Sequence, residues 1–268
     1  MSSSLIWQPA VAFLKRSRER MIPPFSFKRS VFIMGHMRSG STALSHVICH
    51  SPLISGYGET QVRYDSPRSP RSVLIKQIRR RAWQPGARYL FDKILSNHLD
   101  ENVPPGFFDA HAIFVVREPH GTILSIREMY KATNQEEYST DVEAADYYEG
   151  RLERLAALWR QFPQDKKIGL TFTRLTADPD AALRAISALL GLRPPLINRY
   201  ERRGRINPIG VGDPLSAHKF SAIVPSSRST TIGGAPRGLD LPRARIQRLE
   251  RLHQAMVDTM VASGCRIA

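Results

Sequence analysis

A stretch near the start of the chain has the residue types and the spacing of a phosphate-binding loop. Residues 35–42 are Gly-His-Met-Arg-Ser-Gly-Ser-Thr and lie between a predicted strand and a predicted helix. Their glycines have the spacing of the pattern G-x-x-x-x-G-K-[ST], with Ser41 in place of the lysine. Glycines let the backbone curl so that successive N–H groups point at one phosphate beside the helix N-terminus. The stretch therefore predicts a site for a phosphate group, with a plain strand-to-helix turn as the alternative.

The missing lysine narrows the choice of ligand. In nucleoside-triphosphate enzymes that lysine reaches the β- and γ-phosphates, so its absence argues against a triphosphate. Arg38 lies inside the loop instead, where it can reach a bridging oxygen on which charge develops during group transfer. An ordinary surface arginine is the alternative interpretation of Arg38.

A second motif adds a family resemblance. In residues 115–125 a predicted strand ends in Arg117, and Ser125 follows on the next predicted helix. With the loop, this segment resembles sulfotransferases that use 3′-phosphoadenosine 5′-phosphosulfate (PAPS), closest in character to bacterial and carbohydrate sulfotransferases. The resemblance implies that Arg117 and Ser125 hold the 3′-phosphate of this donor. It implies that the 5′-phosphosulfate is bound by Arg38, Ser39, Gly40, Ser41 and Thr42.

The residue types alone, without the resemblance, also indicate a ligand with an anionic group at each end. A loop for one phosphate and an arginine–serine pair for another suit a nucleotide with phosphates at both ends of its ribose. The resemblance extends over about residues 30–192. Its third and weakest part is the segment 174–192, in which Arg174 stands where the family usually has an acidic residue.

Glu59 is the candidate base on the acceptor side. It follows the second predicted strand, so it should lie at the carboxyl edge of the sheet, where α/β proteins bind ligands. A glutamate there can take a proton from an acceptor hydroxyl, and its spacing from the loop resembles that of the base in carbohydrate sulfotransferases. The alternatives are a salt bridge between Glu59 and a nearby arginine, or His36 or His120 as the base.

Two neighbouring residues end the predicted strand at 89–94. Lys93 resembles the family's strand-end lysine near the transferred sulfonate, which implies an electrostatic role. Asp92 has a competing interpretation, since an acid after an apolar strand is typical of the magnesium site of nucleoside triphosphatases. No group of residues has convincing metal-ligand spacing, so we expect no metal.

The elements that must position these residues alternate between strands and helices. Apolar runs predict strands at 30–35, 53–58, 89–94, 112–117 and 168–173. Periodic segments predict helices at 41–50, 143–162 and 242–262, and another that Asp178 caps and that ends before Gly191. This alternation predicts an α/β three-layer sandwich with a mainly parallel central sheet and a P-loop-like 5′-phosphosulfate-binding loop.

The chain is expected to form one sulfotransferase-like domain over residues 30–268, after an N-terminal lead-in at 1–29. Two irregular regions interrupt the pattern, a basic insertion at about 63–88 and a loop region at about 193–240. The basic run Lys76, Arg79, Arg80, Arg81 and Arg88 predicts either a solvated helix face or a surface for an acidic acceptor. Arg228, in the second region, is a weak candidate for a basic loop that closes over the donor.

The amino-acid composition indicates which kinds of partner the chain binds. The 39 Lys and Arg residues against 24 Asp and Glu give a formal charge of +15, which favours anionic ligands. No DNA- or RNA-binding motif is recognisable, so nucleic acid is not the expected partner. Two cysteines suit a reducing compartment, and no segment has transmembrane length. We therefore expect a cytoplasmic protein, with at most a weak membrane-surface contact through its N-terminal segment.

These observations combine into one functional hypothesis. The chain is predicted to move a sulfuryl group from PAPS to the hydroxyl of a small molecule or saccharide, in particular a carbohydrate or glycolipid. Both neutral and acidic acceptors are compatible with this prediction. Glu59 would be the base, and Arg38 and Lys93 would stabilise the charge that develops. The alternatives are a metal-dependent P-loop kinase and a non-catalytic basic protein that binds nucleotides or nucleic acid.

Overall fold

A computed structural model describes residues 25–200, 221–224 and 238–262. In these residues strands and helices alternate along the chain. The strands are β1 (Ser30–Gly35), β2 (Ile54–Ser55), β3 (Tyr89–Ile94), β4 (His111–Val116) and β5 (Lys167–Thr171). The α-helices are α1 (Ser41–His50), α2 (Ser69–Arg79), α3 (Asn97–Asp100), α4 (Pro119–Ala132), α5 (Asp141–Gln161), α6 (Phe172–Ala177), α7 (Pro179–Leu190) and α8 (Arg243–Ala262).

The five strands form one sheet in the order β2-β3-β1-β4-β5, and every neighbouring pair is parallel. The central strand β1 lies between β3 and β4, so that Ile33 is opposite both Lys93 and Ile113. All carboxyl ends of the strands therefore meet at one edge of the sheet, and all amino ends at the other. The prediction of an α/β fold with a parallel central sheet is confirmed.

Helices cover both faces of the sheet because successive side chains along each strand point to opposite sides. Phe32 and Met34 of β1 belong to the core that includes residues of α4, α5 and α8. Val31 and Ile33 belong to the other core, which includes residues of α1 and α7. Each fully buried side chain of this size contributes about 1.5–3 kcal/mol. The predicted three-layer arrangement follows from these two cores.

Two strands are shorter than the sequence predicts. The second strand is only Ile54–Ser55, because Gly56 follows with a positive φ of 141° and a Cβ there would lie 2.8 Å from the carbonyl oxygen of Phe91. The last strand ends at Thr171, whose hydroxyl accepts a hydrogen bond from the N–H of Arg174 at 3.2 Å and so caps α6.

The basic region at 63–88 is more regular than expected. It contains α2, which buries Val73 and Leu74 against the first core. The N-terminal lead-in up to residue 24 and most of the region 193–240, including Arg228, lie outside the described residues. Among the residues that are described, no helix is long and apolar enough to cross a membrane.

Candidate active site

The predicted phosphate loop connects β1 to α1 at the carboxyl edge of the sheet. Gly40 has φ 87° and is the N-cap of α1, which begins at Ser41. A Cβ at Gly40 would lie 2.9 Å from the Phe172 ring, so both conformation and space require glycine. A glycine N-cap has no side chain to accept the first N–H groups of the helix, which leaves them for an anionic ligand.

His36 joins this loop to the second motif. The backbone N–H of Arg117 donates to Nε2 of His36 at 3.0 Å, and Nδ1 of His36 lies 2.8 Å from the carbonyl oxygen of Met37. The ring is fully buried, and burial lowers its pKa to about 3. His36 is therefore neutral, with the proton on Nδ1, and both nitrogens are engaged. Its position suits holding the two motifs in register and does not suit the alternative role of base.

The side chains of the two motifs meet directly. Nε of Arg38 donates to Oγ of Ser125 at 2.9 Å, and a terminal nitrogen of Arg117 lies 3.4 Å from the carbonyl oxygen of Arg38. The Arg117 guanidinium also lies over the Phe172 ring, 4.4 Å from its centre. Burial lowers the pKa of Arg117. The structure thus brings together the residues predicted for the two ends of the donor.

Two buried polar atoms in these motifs have no hydrogen-bond partner. They are Oγ of Ser39 and Nε of Arg117. Nε of Arg117 is 3.5 Å from a carboxylate oxygen of Glu118, an ion-pair distance without hydrogen-bond geometry. A buried polar group without a partner costs about 1–3 kcal/mol, so both atoms are suited to a ligand that supplies acceptors.

Glu59 and Lys93 form an ion pair beside the loop. Nζ of Lys93 is 2.9 Å from Oε1 of Glu59 and donates to Oγ1 of Thr42 at 3.1 Å. The side chain of Lys93 is 1% exposed and that of Glu59 is 15% exposed. The other Glu59 oxygen accepts a hydrogen bond from Gln61. Lys93 therefore links the candidate base to the phosphate loop, and the salt bridge expected as an alternative for Glu59 is formed with a lysine.

Two basic residues, one in α2 and one directly after it, bind the backbone around Glu59. Nζ of Lys76 donates to the carbonyl oxygens of Thr60 and Gln61 at 2.9 and 2.8 Å, and Arg80 donates to the carbonyl oxygen of Glu59. Burial and the neighbouring Arg80 lower the pKa of Lys76. These two cations hold the backbone that carries Glu59, so this part of the basic run is neither a solvated face nor a free surface for an acidic acceptor.

Asp92 faces away from the loop and is saturated with hydrogen bonds. It accepts from the N–H of Thr60 at 2.8 Å, the hydroxyl of Tyr64 at 2.5 Å and the N–H of Lys93 at 2.8 Å. It also accepts from the Thr60 hydroxyl. Burial raises its pKa. Asp92 therefore anchors the turn after Glu59, and the magnesium-site interpretation finds no support in its contacts. No group of three or more metal-type side chains occurs in the described part of the chain.

A cavity of about 550 Å³ opens beside Arg38 and the Glu59–Lys93 pair, and Ser39, Arg117 and Ser125 do not line it. Arg38, Thr42, Glu59 and Lys93 line one side of it. The opposite side comes from the end of α4 and the turn that follows, with Met129, Tyr130, Thr133, Gln135, Glu137 and Tyr138. The rings of Tyr130 and Tyr138 contact edge to face at 5.3 Å. His120, in the first turn of α4, does not line this cavity.

Three further residues of α5 hold the site and are not predicted from the sequence. The Tyr147 hydroxyl accepts from the N–H of Met37 and donates to the carbonyl oxygen of Leu95, and the Tyr148 hydroxyl donates to the carbonyl oxygen of Arg117 at 2.8 Å. Arg151 is 1% exposed. Its guanidinium donates to the carbonyl oxygens of Gly35 and Ile94 and to the Asp100 carboxylate. The sequence signal for these residues was a pair of adjacent tyrosines within an apolar helix face. An arginine follows four residues after the first tyrosine.

Comparison with known proteins finds similarity to sulfotransferases. Residues 69–195 match the sequence model described as "Sulfotransferase family". The sulfotransferase domain of the Synechococcus PCC 7002 olefin synthase has 18% sequence identity and a TM-score of 0.55, over 82% of this chain and 92% of that domain. A sulfotransferase from Alicyclobacillus acidocaldarius has 14% identity and a TM-score of 0.48, over 87% and 94% of the two chains. No curated protein matches the sequence.

The olefin synthase domain shares the fold of this chain at low sequence identity. The fold is that of an α/β protein with a P-loop-like loop at the carboxyl end of its central strand. The sequence is similar to the sulfotransferase family over residues 69–195, just under half of the chain.

Proposed function

We propose that the protein transfers a sulfuryl group from PAPS to a hydroxyl group. The observation that carries this proposal is the pair of buried donors without a hydrogen-bond partner, Oγ of Ser39 and Nε of Arg117. One lies in the loop assigned to the 5′-phosphosulfate and the other in the motif assigned to the 3′-phosphate. Arg38 spans the two motifs through its contact with Ser125. This arrangement suits a nucleotide with an anionic group at each end of its ribose.

In this proposal Glu59 is the base. As the acceptor oxygen forms its bond to sulfur, the Glu59 carboxylate takes the hydroxyl proton. The bond between sulfur and the bridging oxygen breaks, and its electron pair stays on the 5′-phosphate of the departing adenosine 3′,5′-bisphosphate. Lys93 and Arg38 stabilise the negative charge on the transferred group and the bridging oxygen. A sulfuryl group carries less charge than a phosphoryl group, so fixed cations serve where a kinase uses magnesium.

The cavity favours an uncharged acceptor with several hydroxyl groups. Its charged side chains include two cations, Arg38 and Lys93, and two carboxylates, Glu59 and Glu137, so no excess positive charge is left for an acidic acceptor. The faces of Tyr130 and Tyr138 offer apolar contact, while Thr133 and Gln135 offer hydrogen bonds. A neutral saccharide or glycolipid combines these properties.

The test has two parts. Calorimetry should detect binding of adenosine 3′,5′-bisphosphate, and the affinity should fall at least tenfold in Arg117→Ala. The affinity should be unchanged in the control Arg71→Ala, because Arg71 is an exposed arginine of α2 that lines neither described cavity. Incubation with sulfur-labelled PAPS and a panel of neutral saccharides, acidic saccharides and phenols should then label a neutral saccharide. Absence of bisphosphate binding would overturn the donor assignment, and labelling of acidic saccharides or phenols alone would overturn the acceptor assignment.

A further inference from the structure

A second cavity lies at the opposite edge of the sheet from the candidate active site. Its volume is about 480 Å³, within the range of small-molecule sites, about 300–1,000 Å³. The strands begin at this edge, and the cavity is lined by the residues that precede or open β1, β3, β4 and β5, together with the C-terminal end of α7. None of these residues takes part in the site described above.

The residues before the strands supply positive charge from separate segments of the chain. Lys28 and Arg29 precede β1, Arg88 precedes β3 and Lys166 precedes β5. Because the strands are parallel, these positions converge at one edge although they are up to 138 residues apart in sequence. None of the ion pairs of the described residues involves these four cations, and the exposed Asp165 is a carboxylate that acts electrostatically on His111.

His111, the first residue of β4, is the buried polar group of this cavity. Its side chain is 7% exposed, and its Nδ1 has no hydrogen-bond partner. Burial, Lys166 and Arg88 lower its pKa to about 4, against a smaller opposing effect of Asp165. The ring is therefore neutral at pH 7, and in the Nδ1–H tautomer it presents a hydrogen-bond donor. Tyr89, the neighbouring ring, packs edge to face against it at 5.3 Å.

The remaining wall does not repel an anion. The C-terminal end of a helix normally presents partial negative charge through its last carbonyl groups. Here the Tyr89 hydroxyl donates to the carbonyl oxygen of Leu190 at 2.9 Å, and Arg88 donates to that of Gly191 at 3.1 Å. These contacts offset the helix end and hold Arg88 in place. Lys167, by contrast, donates to the carbonyl oxygens of Trp159 and Phe162 and is directed elsewhere.

We propose that this cavity, the amino-edge cavity, is a second anion-binding site for a phosphate or sulfate group. Arg88, Lys166 and the Lys28–Arg29 pair would surround the group, and Nδ1–H of His111 would donate to it. Four cations around one cavity repel one another unless an anion is present, and an unpartnered buried nitrogen gains a partner when the anion binds. The cavity exceeds the size of a single phosphate, so the ligand is a small molecule or a lipid headgroup that carries one.

The experiment uses the full chain and inorganic phosphate as the probe, with sulfate as the second probe. The ring resonances of His111, assigned with His111→Gln, are followed by NMR during titration. We expect a saturable shift in the millimolar range, weakened at least tenfold in Arg88→Ala/Lys166→Ala. Arg71→Ala is the matched control and should leave the titration unchanged. Circular dichroism and the thermal midpoint establish that the double variant is folded.

The readout is independent of the proposed transferase activity. Arg38→Ala/Arg117→Ala removes two contacts of the nucleotide site and should leave the His111 titration unchanged. Co-sedimentation with phosphatidylglycerol vesicles, against phosphatidylcholine vesicles, distinguishes the two sources of the group. Sedimentation that requires Arg88 and Lys166 identifies a headgroup, and binding of inorganic phosphate without sedimentation identifies a free anion. An unshifted His111 resonance, or a shift that persists in the Arg88→Ala/Lys166→Ala variant, would overturn the proposal.

Discussion

The two edges of the same sheet use positive charge in different ways. At the carboxyl edge the cations have protein partners: Lys93 pairs with Glu59, Arg38 contacts Ser125, and Arg151 binds Asp100. At the amino edge four cations surround a cavity, and none of them forms an ion pair among the described residues. Charge at the first edge is balanced by protein partners, whereas charge at the second has no ion-pair partner among the described residues.

The parallel topology explains why cations from distant parts of the chain collect at both edges. In a parallel sheet the residue after each strand comes to one edge, and the residue before each strand comes to the other. Arg117 follows β4 and reaches the first edge by this rule, and Arg29, Arg88 and Lys166 precede strands and reach the second. Single substitutions can therefore separate the two edges.

The largest effect is expected at Glu59. Glu59→Gln keeps the shape of the side chain but removes the proton acceptor, so turnover should fall about 10²–10⁴-fold with donor affinity nearly unchanged. Steady-state kinetics with the labelled acceptor, and calorimetry with adenosine 3′,5′-bisphosphate, measure the two quantities. Gln61→Ala, which removes a hydrogen bond to Glu59 without removing the carboxylate, is the control and should cost far less. Normal turnover in Glu59→Gln would mean that another group acts as the base.

The next effect compares one carboxylate at each edge. Asp100→Asn leaves the guanidinium of Arg151 buried without its counter-charge, and both side chains are 0% exposed, so the free energy of unfolding should fall by about 3–5 kcal/mol. Asp165→Asn, at an exposed position beside the amino-edge cavity, should change it by less than about 0.5 kcal/mol. Urea unfolding of both variants measures the difference. If both variants lost the same free energy of unfolding, the Asp100–Arg151 ion pair would not stabilise the fold more than an exposed carboxylate does.

How far the sequence predicts the structure depends on whether a feature is local. The bounds of β1 and α1 are predicted to the residue, because an apolar run meets a glycine turn and a helical period there. The positions of Glu59, Lys93 and Arg117 at one edge also follow from local patterns, since each ends or follows a predicted strand. Their convergence then needs only the rule that parallel strands end together.

Features that depend on distant contacts could not be predicted in this way. Tyr147 and Arg151 contact β1 and its loop from positions more than 100 residues away, and helical periodicity assigns such residues only to a face of α5. The apolar content of 63–88 is low, so α2 is stabilised by burial of a few side chains against the sheet. The amino-edge cavity could not be predicted either, because its four cations precede three different strands, β1, β3 and β5.

A smaller effect concerns the pH dependence of stability at the amino edge. His111 has a pKa of about 4 in the folded chain and an ordinary value of 6.5 when unfolded. Below pH 6.5 the unfolded chain therefore binds an extra proton, and stability falls as pH drops towards 4, by up to about 1.4 kcal/mol per pH unit. The His111→Gln variant should lose this part of the slope in urea unfolding at pH 7, 6 and 5.

Four further groups and one ligand affect the pH dependence of stability. Burial of His36 lowers its pKa to about 3, so the same direction of change should persist in His111→Gln from the other edge. Lys166 and Arg88 depress the pKa of His111, and Asp165 raises it. Added phosphate should raise this pKa and flatten the slope of the wild-type chain only. A slope identical in wild-type and variant would show that His111 does not titrate as its burial requires.

The smallest effect tests whether the amino-edge charges are uncompensated. Lys28 is exposed and forms no ion pair among the described residues, so Lys28→Gln should raise the free energy of unfolding at low salt by about 0.2–0.5 kcal/mol, since it removes repulsion from Arg29, Arg88 and Lys166. High salt screens that repulsion and should remove the gain. Saturating phosphate should reverse its sign, because the variant binds the anion less tightly. Destabilisation by Lys28→Gln at low salt without phosphate would mean that the cations at this edge already have partners, as those at the carboxyl edge do.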